Sequence, residues 1–192
     1  MNNPILGRYT RQGLWSLFLM CALPLHAWTL ILAFRDLSWL TDRTNSWDAV
    51  GVLCYGLLFA FAESVVVFVV ALLLGFLTPP RWDAKRRIGV LSILVLVLSL
   101  WAMVGQLFFL MNVQLPGVII AFLVRTPHPL RVMYTIITVV VAASFLVPVL
   151  LVVRSGRDTG FMAGQIDRLG LLSTFYLVFD MAAFVIVVIR NL

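Results

Sequence analysis

Charge is scarce in this chain. Only 11% of its 192 residues are Asp, Glu, Lys or Arg, where a soluble domain carries about a quarter. Polar stretches long enough to fold by themselves are missing too, so no separate soluble domain is expected. The net charge of +6 does not signal nucleic acid. Thirteen Arg and one Lys are scattered at the ends of apolar segments, with no continuous basic face interleaved with aromatic residues. Nucleic acid is therefore excluded as a partner.

Metal and redox chemistry have little to work with. There are two cysteines, Cys21 and Cys54, both inside apolar runs. They are expected at different depths, whereas a disulfide needs Cα atoms within about 7 Å. Two histidines, His26 and His128, give no structural zinc spacing and no paired axial ligands for a haem. His-Glu-x-x-His, Gly-x-Ser-x-Gly and phosphate-loop patterns do not occur. No cofactor is called for, and an enzymatic reading has no motif behind it.

What the chain has is apolar length. With 62% hydrophobic residues and several runs at or above the roughly 20 residues that cross a bilayer, it reads as an all-α polytopic membrane protein. A single integral domain over 1–192 is expected, a bundle of five transmembrane helices at about 14–34, 50–77, 88–111, 130–153 and 169–189. The first run exceeds a signal-peptide core and lacks a small-residue cleavage site, so it is read as a retained helix. Pro24 inside it is expected to bend it. Arg35 to Asp48 is read as a loop, with Trp39 and Trp47 as interface anchors. Asp167 is a candidate cap for the fifth helix. Between the third and fourth spans, Gly117 to Val124 is apolar and bounded by prolines. Eight residues rise only about 12 Å, too little to span. An interfacial helix is favoured over a re-entrant segment, whose backbone needs protein or water around it.

Orientation follows from the basic residues. Nine Arg or Lys lie on the side of the N-terminus and five on the other, which predicts a cytoplasmic N-terminus and an outer C-terminus. The densest group, Arg81, Lys85, Arg86 and Arg87, is read as a topology signal or a contact for lipid headgroups.

Two acids interrupt this pattern. Glu63 stands in the middle of the second span, and an ionisable residue at that depth is costly and needs a purpose. At about 100° per residue, Glu63 falls in one arc with Gly56, Ala60, Ser64, Ala71 and Gly75. Small residues let another helix approach closely, so Glu63 is expected to point inward with this packing stripe. Asp180 lies at a similar depth in the fifth span, on a stripe with Ser173, Tyr176 and Ala183. His26 lies within roughly 4 Å of the same level by helical rise. Glu63, Asp180, His26 and Tyr176 are thus the candidate site, for an ion, a proton or a partner helix. The plainer alternative is a hydrogen bond that glues helices together, worth something like 1 kcal/mol.

Three function classes follow. The favoured one is a non-enzymatic membrane component: a subunit, accessory or anchoring protein of a larger complex, partnered by other membrane subunits or by itself as a homo-oligomer. The second is a small proton- or cation-coupled transporter or channel using the two acids. The third is a membrane enzyme acting on a lipid-linked substrate, with the basic cluster on its headgroup.

Overall fold

A computed structural model of the chain describes residues 9–154 and 159–192, with side chains described outside 151–170. Among the described residues six helices follow one another: α1 (Arg11–Arg43), α2 (Ser46–Phe76), α3 (Ala84–Leu110), α4 (Gly117–Val124), α5 (Pro129–Arg154) and α6 (Thr159–Asn191). Among the described residues there is no strand, and all but the short α4 are long and apolar enough to cross a membrane. The protein is therefore the expected all-α polytopic bundle. The eight-residue α4 sits between the third and fourth long helices, with the bounds expected of it.

The helix ends differ from the hydropathy limits, because caps set them. The Thr10 side chain accepts from the Gly13 amide at the start of α1, Asn45 from the Asp48 amide at the start of α2, and Asp83 from the Arg86 amide at the start of α3. Each satisfies a backbone donor that has no partner inside its helix. Apolarity marks the edge of a bilayer, whereas a helix can run on into water. So α1 continues to Arg43 through most of the segment expected as a loop, and Arg35 and Asp36 pair on its surface at 2.8 and 2.9 Å. Pro24 lies inside α1 without ending it. Helix α6 starts at Thr159, ten residues before the expected boundary, so Asp167 is not its cap.

Helix α1 is the hub, packing against α2, α3 and α6. On the N-terminal side, Leu17 and Cys21 of α1 meet Ala71 of α2 and Ile88, Leu91 and Val95 of α3, with Tyr9 beneath them. Towards the far side, Cys54 and Leu57 of α2 meet Ala183 of α6. The two free thiols thus belong to separate clusters. Helix α5 joins chiefly through α3, where Trp101 Nε1 donates to Ser144 Oγ at 3.0 Å. Close packing leaves no room for a Cβ at Gly13, where it would meet Ile88, or at two further glycines. A Cβ at Gly75 would collide with the Tyr9 hydroxyl, and one at Gly51 would collide with the guanidinium of Arg190.

Candidate functional site

Helices α1 and α6 run parallel, and their polar groups meet in register. Ser173 Oγ donates to the Leu19 carbonyl at 2.9 Å. Seven residues further on in both helices, His26 meets Asp180. Seven residues are close to two turns, so both contacts fall on one seam.

His26 is fully buried, and its Nδ1 lies 2.8 Å from the Ala22 carbonyl one turn earlier. A carbonyl only accepts, so Nδ1 carries a hydrogen and donates it. That turns Nε2 towards α6, where it stands 2.9 Å from Oδ2 and 3.1 Å from Oδ1 of Asp180. The ring of Tyr176, one turn before Asp180, is nearly parallel to the imidazole, with centroids 5.7 Å apart and planes 10° apart. Asp180 itself is only 6% exposed.

Proton counting follows from this geometry. With Nδ1–H committed, Nε2 and the carboxyl are placed to share one further proton. It sits either on the imidazolium, facing a carboxylate, or on the carboxylic acid, facing the Nε2 lone pair. Both states are neutral overall and hydrogen-bonded. Removing the proton sets a carboxylate against a lone pair. The geometry thus suits one shared proton, and a proton held there ties the two helices together.

Of the four candidate residues, the structure brings together His26, Tyr176 and Asp180. Glu63 is the correction. It is exposed on α2, and no described residue bonds to or pairs with it. Gly56 is half-buried while Ala60, Ser64, Ala71 and Gly75 are buried, so the small-residue face packs as expected. Its centre is near Ser64, whose hydroxyl donates to the Ala60 carbonyl at 2.6 Å. Glu63 precedes Ser64 by one residue and so points about 100° away from it. In the wheel it lay at the margin of the arc, and the buried face turns away from that margin.

The basic cluster divides. Arg81 and Lys85 are exposed, and Arg86 is half-buried above the Trp82 ring at 5.4 Å. Arg87 is only 1% exposed and corrects the headgroup reading at its position. Its guanidinium donates to Thr78 Oγ1 at 2.7 Å, the Trp82 carbonyl at 3.3 Å and the Pro79 carbonyl at 3.4 Å, and it lies above the Tyr9 ring. It is a tie holding the turn between α2 and α3. At the other end of the bundle, Arg190 bonds to the Asp48 carboxylate and, at 2.8 Å, to the Trp47 carbonyl. In the sequence Arg190 is only a terminal charge. An acid and a base more than a hundred residues apart give no periodic signal.

Asp180 also lines an open groove of about 1030 Å³ whose walls come from α1, α2 and α6. Towards the far side, Leu53 and Leu58 of α2 and Ile186 and Val187 of α6 pack against the cluster of Cys54, Leu57 and Ala183. Towards the N-terminal side, Phe61 and Val65 of α2 and Leu177 and Met181 of α6 form opposite walls of the groove. Among the described residues no group of three or more His, Cys, Asp or Glu could hold a metal ion. Compared with known proteins, the chain matches no family model, no curated protein and no solved structure.

Proposed function

We propose that this protein is an integral component of a larger membrane assembly, meeting another membrane polypeptide through the face of α2 that carries Glu63. The observation behind this reading is the exposure of Glu63 midway along α2, with no described partner. Acids within membrane spans almost always face protein or a water-filled cavity, because lipid cannot solvate them. A second helix carrying a hydrogen-bond donor or a basic residue supplies what the lipid does not. The chain itself is held by its own polar ties, Asp180 to His26 and Arg190 to Asp48, so Glu63 remains for contact with another chain. In the same reading the N-terminus is cytoplasmic, from the basic-residue bias.

The test is purification from the native membrane in mild detergent, with every co-purifying polypeptide quantified. A stoichiometric partner, or a homo-oligomer, that is lost on Glu63→Leu supports the assembly. A monomer without partners in both wild type and variant rejects it.

One observation favours a second reading, a proton-coupled transporter: the buried His26–Asp180 pair has the geometry to hold a proton between its two side chains, and Asp180 reaches the groove. That reading requires acid-driven flux in liposomes, abolished by Asp180→Asn. The enzymatic reading loses support, because burial of Arg87 takes one of its headgroup contacts away.

A further inference from the structure

The groove that Asp180 lines has apolar walls and a single basic residue, Arg11. Arg11, Leu14, Trp15 and Phe18 line it from α1, at spacings of three and four that put them on one helical face. Arg11 stands at its N-terminal mouth, exposed and without an ion pair among the described residues. His26, the partner of Asp180 at the deep end, is fifteen residues further along α1, a rise of about 22 Å. Half of a bilayer including its headgroups is about 20–22 Å. The groove therefore runs from headgroup level to the midplane and about one turn beyond it, to Phe184.

The groove is open along one side, and Arg11 is the one cation among its lining residues, so an anionic headgroup at the mouth with its chains along the apolar walls matches both the charge and the lining.

The chemistry of the walls agrees. Phe18 meets Phe68 and Phe61 edge to face, at 5.7 and 6.2 Å, and Trp15 lies against Phe18 at 5.6 Å. An apolar aromatic wall thus follows the charge at the mouth, with Trp15 at the depth where indole rings sit in interfaces. At the deep end the carboxyl of Asp180 is already turned to His26.

We propose that this groove binds one anionic phospholipid from the leaflet on the N-terminal side, with its headgroup at Arg11 and its chains along the aromatic wall that leads past Asp180. The site is independent of the assembly reading. Phe61 and Val65 flank Glu63 by two residues on either side, which places Glu63 about 160° from the groove wall of α2. Bound chains also exclude water from the groove side of Asp180.

The experiment is native mass spectrometry of the full chain in mild detergent, supplied with equimolar phosphatidylglycerol and phosphatidylcholine. The wild type should retain one phosphatidylglycerol with a preference of about fivefold, the factor one basic side chain contributes near an anionic headgroup. Arg11→Gln, at an exposed position that leaves the packing untouched, should bring the preference to about one. Met181→Trp, which fills the groove from a side chain 67% exposed, should abolish retention while Met181→Leu keeps it. Equal retention of the two lipids by the wild type overturns the proposal. So does an unchanged preference in Arg11→Gln, undiminished retention in folded Met181→Trp, or a Met181→Cys cross-link to a co-purifying protein in place of lipid.

Discussion

The Nε2 of His26 lies 2.9 Å from Oδ2 of Asp180, two helical turns beyond the bond from Ser173 to the Leu19 carbonyl. These two contacts fix α6 on α1 in height and rotation together. A single polar contact would leave α6 free to swing about it. Apolar packing adds little discrimination between neighbouring registers in lipid, whose chains are as apolar as the side chains.

The pair predicts a graded mutant series. Asp180→Leu leaves the buried Nε2 without a partner, which costs about 1–3 kcal/mol. For a chain of this size that is a fall in Tm of roughly 2–4 °C per kcal/mol. Asp180→Asn keeps an N–H facing the Nε2 lone pair, so its loss should stay within about 1 kcal/mol. The double variant His26→Leu with Asp180→Leu should lose less than the sum of the two single variants, because no orphaned group remains. Thermal unfolding in detergent measures all four. Strict additivity would show that the two side chains do not interact.

Gly75 predicts a second coupling. Gly75→Ala brings a methyl group onto the Tyr9 hydroxyl and should cost about 1–3 kcal/mol as overpacking. Removing that hydroxyl with Tyr9→Phe also removes the long 3.4 Å bond to the Leu72 carbonyl, a small loss by itself. In the Tyr9→Phe background the cost of Gly75→Ala should fall by about half or more. The same unfolding assay reads it, and an unchanged cost would place the clash elsewhere.

Much of the bundle could be read in the sequence, since the number of long apolar helices depends only on hydropathy. Helix ends could not, because Thr10, Asn45 and Asp83 decide them by local hydrogen bonds that a hydropathy window averages away. The common level of His26 and Asp180 was legible, since rise per residue is fixed. Their facing each other was not, since the rotation of each helix depends on all its neighbours. Glu63 shows the same limit from the other side. It shares the depth but stands about 100° from the packed face at Ser64. Arg87 was misleading because three neighbouring basic residues suggest one solvated cluster, while its own bonds to Thr78, Pro79 and Trp82 bury it.

Arg87 should accordingly behave unlike its neighbours. Arg81→Gln and Lys85→Gln alter exposed side chains and should change stability by no more than about 0.5 kcal/mol. Arg87→Ala strips the donors from a hydroxyl and two carbonyls and should cost about 1–3 kcal/mol. Arg87→Lys should not restore it, because one ammonium cannot match the spread of a guanidinium's five donors. Folded yield and Tm of the four variants check this, and equal behaviour across the cluster would return Arg87 to the surface.

Glu63 gives the sharpest contrast between the isolated chain and its assembly. No described residue bonds to it, so Glu63→Leu should leave the stability of the separated chain, read from its Tm, within about 0.5 kcal/mol of wild type. In the assembly the same substitution removes the one polar group that α2 presents at mid-span, where a hydrogen bond between helices is worth about 0.6–1.7 kcal/mol. Partner recovery should then fall by about threefold to twentyfold, while Glu63→Gln, which still hydrogen-bonds, should recover most of it. Measuring Tm and recovery on the same preparations separates the two effects. If Tm falls with recovery, Glu63 supports the fold of its own chain; if recovery alone falls, it serves another chain.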